Sequence, residues 1–225
     1  MCLAIFKPEN KQIKKKYLNA GFHSNSDGAG FAYIRDKKIV IEKGFFNFQD
    51  FWNAYEKIDK HSPMLIHFRW ATHGKKDAQN CHPFELLAGR GAMIHNGILP
   101  YESTATKSDT ACFVDGVLNP LLNANPYDDK HIKFLIENAI GDSNKIACLF
   151  SDGNHVIYNE SKGEWHKGSW FSNSGYRQPR FHSVGFAGYG DDEYDDAEYL
   201  ESTTYPFAYP AQPVSFRGKK REENF

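Results

Sequence analysis

A layered α+β domain with largely antiparallel sheets is the fold class this sequence predicts. Short apolar runs with strand character open the chain, helical periodicity fills its middle, and strand runs separated by tight turns return towards residue 171. That order lacks the repeating strand-helix-strand rhythm of a parallel sheet. Neither a glycine-rich dinucleotide fingerprint nor a phosphate loop is present.

Taken in order, Leu3-Ala4-Ile5-Phe6 reads as a short buried strand. Residues 9–20 read as a helix with Ile13, Tyr17 and Leu18 inward and Lys14, Lys15 and Lys16 in water. Asn25-Ser26-Asp27-Gly28-Ala29-Gly30 is turn chemistry. It leads into Phe31-Ala32-Tyr33-Ile34, a corner at Asp36-Lys37 and the strand Ile39-Val40-Ile41, which together make an early hairpin. Across residues 49–60, Phe51, Trp52, Tyr55 and Ile58 recur at helical spacing, a stripe that reads as core and not as a cofactor box. Residues 64–70 form an apolar strand, and residues 109–122 and 128–140 are helix-rich around a turn at 123–127. Strands resume at 145–150 and 155–158 around Asp152-Gly153-Asn154. Further strand character near Trp165 and Trp170-Phe171 extends this second antiparallel unit. Beyond about Gly185 the composition shifts to Gly, Tyr and Pro with an acidic run from Asp191 to Asp196 and a basic one from Arg217 to Arg221. The expected organisation is one globular domain over residues 1–185 and a flexible or partner-bound tail over residues 186–225.

Bulk properties narrow the function. A length of 225 residues with 40% hydrophobic content suffices for one substantial core. A formal net charge of −1 without clustered Lys and Arg is not the footprint of a protein that grips a nucleic-acid backbone, so no direct nucleic-acid binding is expected. No apolar stretch approaches bilayer length, and Lys7 interrupts the apolar start too soon for a signal-peptide core, so a cytoplasmic location without membrane attachment is expected. Four scattered cysteines without a Cys-x-x-Cys pair argue for reduced thiols. His67, His73, His82 and His95 fall close in sequence, yet none has the i, i+4 spacing of a helical zinc motif. They read as hydrogen-bonding histidines, and no metal is expected.

The chemistry starts at residue 2. Removal of the initiator would leave Cys2 carrying both a thiol and a free α-amine, a nucleophile with its own base of pKa about 8. Taken alone, a cysteine at position 2 is more often an inert thiol on a buried strand. Further along stand Arg69-Trp70-Ala71-Thr72-His73-Gly74, His82-Pro83, His95-Asn96-Gly97 and Asp109-Thr110. In this order, behind a cysteine at position 2, they resemble the class II glutamine amidotransferases, over about residues 2–172.

That resemblance implies the four-layer α-β-β-α sandwich of N-terminal nucleophile hydrolases and a glutaminase that uses no cofactor. Catalysis would rest on Cys2 as nucleophile, with the Asn96 side-chain amide and Gly97 N–H as the oxyanion hole. Arg69 would bind the glutamine α-carboxylate through its planar fork and Asp109 the α-ammonium, with Trp70, Thr72 and His73 lining the same cleft. Each residue has a plainer reading. Asn96-Gly97 could make a hairpin turn, Arg69 a buried ion pair, and Asp109 a helix cap.

The better-known members fuse this domain to a synthase that consumes the ammonia, whereas only the short tail follows here. The turn at residues 25–30 is also closer to stand-alone members than to the Arg-Gly-x-Asp pattern of the sugar-phosphate synthase. The expectation is a glutaminase that hydrolyses glutamine through a cysteine thioester and passes ammonia to a synthetase or ligase in trans. A self-sufficient amidase of glutamine or a γ-glutamyl compound is the alternative, and a non-catalytic interaction module a further one.

Overall fold

A computed structural model describes residues 2–71 and 75–177. Met1, Thr72, His73 and Gly74 lie outside the described residues, as do the last residues of the expected domain and the whole of the 186–225 tail.

All strand pairings are antiparallel. One six-stranded sheet contains β1 (Leu3–Lys7), β2 (Ala29–Arg35), β3 (Lys38–Phe45), β4 (Met64–Phe68), β9 (Glu164–His166) and β10 (Ser169–Phe171), in the order β3-β2-β4-β1-β10-β9. The other sheet orders β5 (Phe84–Leu86), β6 (Gly91–Asn96), β7 (Lys145–Phe150) and β8 (His155–Tyr158) consecutively. The helices are α1 (Lys15–Ser24), α2 (Phe48–Tyr55), α3 (Asp109–Phe113), α4 (Asn119–Ala124) and α5 (Lys130–Ile140).

Strand alternation sorts the side chains into three apolar layers. Ala4, Phe6, Ala32 and Leu65 of the first sheet meet Ala92, Ile94, Ala147 and Leu149 of the second. On the outer face of the first sheet, Leu3, Ile5, Ile66 and Phe68 pack with Leu18 and Phe22 of α1 and Phe51 of α2. On the outer face of the second, Met93, Ile146 and Cys148 pack with Phe113, Leu122, Ile136 and Ile140 of the later helices. The result is a four-layer α-β-β-α sandwich.

Several local expectations need correction. The helix expected over residues 9–20 begins only at Lys15. Asn10 has φ +59° and donates to His61 O, while the Lys7 ammonium takes the carbonyls of Lys11, Lys60 and Ser62 at 2.6–3.1 Å. Backbone groups of residues 8–12 are thereby committed outside a helical ladder. The 49–60 helix is α2, which starts at an Asn47 cap and stops at Tyr55. The 109–122 helix is three pieces, with one π-helical turn at Val114–Leu118 between α3 and α4. Pro120 lacks an N–H and its ring crowds the carbonyl four residues back, so the ladder widens just before it. Strands β5 and β6 were not anticipated. β9 and β10 do not extend the β7-β8 unit: β10 pairs with β1 in the first sheet, with Ile5 opposite Phe171.

The early hairpin turns as expected at Asp36-Lys37, both at positive φ (53° and 58°), as a two-residue type I′ connection requires.

Candidate active site

Three strand ends meet at one edge of the sandwich. β1 starts there, β4 ends there opposite it with Leu3 paired to Phe68, and β6 ends there at Asn96. Cys2 precedes β1, Arg69 and Trp70 follow β4, and Asn96 and Gly97 close β6. Motif residues far apart in sequence therefore converge because antiparallel pairing brings these ends together.

Cys2 is half-buried, and its Sγ lies 3.3 Å from the Trp70 N–H and 3.5 Å from the Trp70 carbonyl. Burial pushes its thiol above the ordinary value, opposed by the Trp70 N–H and by the Arg69 charge. Such a thiol stays protonated near neutrality and needs a base at the moment of attack. The Cys2 carbonyl accepts from Asn96 Nδ2 at 2.6 Å and from Asn173 Nδ2 at 2.8 Å. Asn96 points between the sheets, on the same side as Ala92 and Ile94, and one proton of its amide remains beyond the Cys2 bond.

Gly97 has φ +143°, and a Cβ there would stand 2.1 Å from Asn144 Oδ1. Only glycine fits both the backbone and the space. Asn96-Gly97 is thus a strand end and not a hairpin turn.

Arg69 is buried and donates from Nη1 to the Lys75 carbonyl at 2.9 Å. Its backbone is clasped by the turn expected at residues 25–30: Arg69 N–H donates to Gly28 O and its carbonyl accepts from Asp27 N–H. Asp27 also accepts from Ala71 N–H at 2.9 Å and pairs with Lys76 at 2.5 Å. Asp109 begins α3, but the capping bond belongs to Ser108, whose Oγ accepts from Ala111 N–H. Asp109 instead receives the Leu99 N–H at 2.8 Å on one oxygen.

Cys2, Arg69, Trp70, Gly97 and Asp109 border one cavity of about 30 Å³, together with Asn80. That volume suits a water molecule and is too small for a glutamine side chain. Trp70 is half-exposed at its rim. Thr72 and His73 lie outside the described residues. Asn80 escaped the sequence reading. Asn80 Oδ1 accepts from Ser108 N–H at 2.8 Å while its Nδ2 donates to Asp77 and Thr106 O, fixing the start of α3. Its position two residues before His82-Pro83 was the available signal.

Three buried histidines cluster here, of which His82 and His95 line the cavity. The rings of His67 and His82 lie 4.1 Å apart, and His67 Nε2 donates to the His95 carbonyl at 2.9 Å, bridging the sheets. Among the described residues no group of His, Cys, Asp and Glu is placed to hold a metal ion. Burial holds His67 down at about 3 and His82 and His95 below the ordinary value as well. In the unfolded chain each would take a proton near pH 6.5 that the folded chain refuses. Their contribution is therefore complete above about pH 6.5 and is lost as pH falls towards the folded values. Thermal unfolding should show Tm falling steadily from pH 6.5 to pH 5, with net proton uptake on unfolding. A Tm flat over that interval would refute the neutral buried cluster.

No helix among the described residues is long and apolar enough to cross a membrane. No family model matches the chain. It is 39% identical over 74 residues to the glutamine–fructose-6-phosphate aminotransferase of Aquifex aeolicus, a match covering 32% of this chain and 12% of that protein. The enzyme of the same name from Staphylococcus aureus is 30% identical over 90 residues, covering 40% of this chain and 15% of that protein. The chain thus matches only a small part of the length of these relatives. A solved structure, the glutamine phosphoribosylpyrophosphate amidotransferase of B. subtilis, aligns over 76% of this chain and 41% of that chain, at 17% identity and a TM-score of 0.47. Taken with the ordered motifs from Cys2 to Asp109-Thr110, the sequence similarity identifies the chain as a relative of the class II glutamine amidotransferases.

Proposed function

We propose that this chain is a glutaminase that cleaves the side-chain amide of glutamine through a Cys2 thioester and delivers the ammonia to an acceptor enzyme in trans. The observation that carries this reading is the meeting of Cys2 Sγ with Arg69, Gly97 and Asp109 around one cavity, with the Asn96 amide seated on the Cys2 carbonyl. The curated relatives carry names that couple glutamine to a separate acceptor, and we extend that division to this chain.

In the proposed reaction Met1 has been removed, so that the Cys2 α-amine takes the thiol proton as sulfur attacks the amide carbon. Negative charge gathers on the amide oxygen, where Gly97 N–H and the spare Asn96 amide proton stabilise it. The ammonium of Cys2 returns its proton to the leaving nitrogen, and ammonia departs from a γ-glutamyl thioester. Water, deprotonated by the same amine, then attacks the thioester and releases glutamate and the thiol. Arg69 holds the α-carboxylate and Asp109 the α-ammonium, away from the bond that breaks.

The test is release of glutamate and ammonia from glutamine by protein whose mature N-terminus has been established by mass spectrometry. Turnover of γ-glutamyl peptides in preference to glutamine would favour a self-sufficient amidase instead. Within the proposed site, Arg69→Lys should raise KM for glutamine about tenfold or more with kcat changed less than about threefold, since a point charge replaces a bidentate fork far from the reacting amide. An unchanged KM would remove Arg69 from substrate binding.

A further inference from the structure

Asn144 lies outside every motif discussed above and does not border the cavity, yet its side chain is buried against the Gly97 Cα. Asn144 Nδ2 donates to the Ile140 carbonyl at the end of α5 at 2.6 Å, which fixes Oδ1 as the opposite, accepting end of the amide. That Oδ1 lies 2.8 Å from His95 Nε2. An amide oxygen only accepts, so His95 must carry its proton on Nε2, and its Nδ1, 2.9 Å from Thr110 Oγ1, must accept the threonine hydroxyl. Asn144 is held in its turn, since its carbonyl accepts from Asn159 Nδ2 at 2.7 Å, and the same amide donates to Gly141 O.

The consequence is a bonded path through the base of the site. It runs from the end of α5 through Asn144 to His95, and through Thr110 to the first turn of α3, where Asp109 sits. On β6 the residues immediately after His95 are Asn96 and Gly97. One imidazole thus ties the strand carrying the proposed oxyanion donors to the helix carrying the proposed ammonium ligand.

We propose that Asn144 and His95 form a positioning pair: Asn144 holds His95 as the neutral Nε2–H tautomer and wedges against Gly97, fixing where the Gly97 N–H points. This rests on the glutaminase reading for its kinetic consequence, but the tautomer and the wedge do not depend on it. Neither residue touches substrate in this role. The groups that face His95 are Asp109 and Lys145, which act on it in opposite senses, and the neutral rings of His67 and His82. None of these offers the imidazolium a carboxylate at hydrogen-bond distance.

Two variants of the full chain test the pair. Asn144→Ala removes the wedge and the acceptor; kcat for glutamine should fall about 10- to 100-fold with KM within about twofold, and the Gly97 amide cross-peak should move in ¹H–¹⁵N spectra. Asn144→Asp keeps the shape and the acceptor, gives up the bond to the Ile140 carbonyl, and adds a charge that stabilises the imidazolium. His95 should then titrate near or above its ordinary value, seen in ¹⁵N-histidine spectra, and the kcat profile should gain a second acidic limb beside the one that the Cys2 α-amine gives the parent protein. The parent protein should show His95 neutral with its proton on Nε2 at pH 6. A proton on Nδ1, or a Gly97 resonance unmoved in Asn144→Ala, overturns the proposal. If the parent protein releases no ammonia from glutamine, the glutaminase reading fails while the spectra still decide the positioning pair.

Discussion

Replacing Cys2 by alanine should reduce glutamine hydrolysis about 10⁴-fold or more while shifting stability by less than about 1 kcal/mol. The loss is large because no neighbouring group can take over attack on the amide. Cys81 and Cys148 are fully buried, with thiols that burial pushes upwards, and Cys112 does not border the cavity. The stability change is small because Cys2 precedes β1 and its Sγ makes only long contacts to Trp70. A glutamine-mimicking electrophile should label Cys2 alone, as peptide mapping would show. Retained turnover in Cys2→Ala, or inactivation that tracks a label on Cys112, would refute the nucleophile.

The other large effect is expected at Gly97. A Cβ there would meet Asn144 Oδ1 at 2.1 Å and Asn144 Cα at 3.0 Å, on a residue whose φ of +143° disfavours any side chain. Gly97→Ala must therefore shift its own peptide or displace Asn144, and both move the N–H proposed to face the developing charge. We expect kcat to fall about 10²- to 10³-fold, the range for losing an oxyanion donor, with about 1–3 kcal/mol of destabilisation from backbone strain. Urea unfolding and steady-state kinetics measure the two separately. A variant within threefold of the parent kcat would show that Gly97 N–H does not stabilise the transition state.

What could be read in the sequence is what local chemistry specifies. The run from Leu3 to Phe6 is strand because it is short, apolar and followed by Pro8; Asp36-Lys37 and Asp152-Gly153-Asn154 are turns because such residues tolerate turn conformations. The order of the motifs marked Cys2, Arg69, Asn96, Gly97 and Asp109 as one group, and strand pairing brings them to one edge of the sandwich. Where local signals competed with longer-range bonds they failed. Residues 9–14 have helical periodicity, but the Asn10 N–H goes to the His61 carbonyl and the Lys11 carbonyl to Lys7; the helix from Asp109 ignores Pro120 in its pattern and not in its backbone.

The supporting residues were beyond reach for a different reason. An asparagine carries no periodic signal, and nothing in the sequence around Asn144 or Asn173 distinguishes a surface amide from one buried against a strand end. The sequence by itself determined the layered α+β class, because that follows from short-range pattern, and its resemblance to the class II glutamine amidotransferases marked the residues proposed for amide chemistry. Only the tertiary structure decided which carbonyl, ring nitrogen or glycine each asparagine amide meets, because those partners are brought within 3 Å by the docking of α3 and α5 on a strand end far away in the chain.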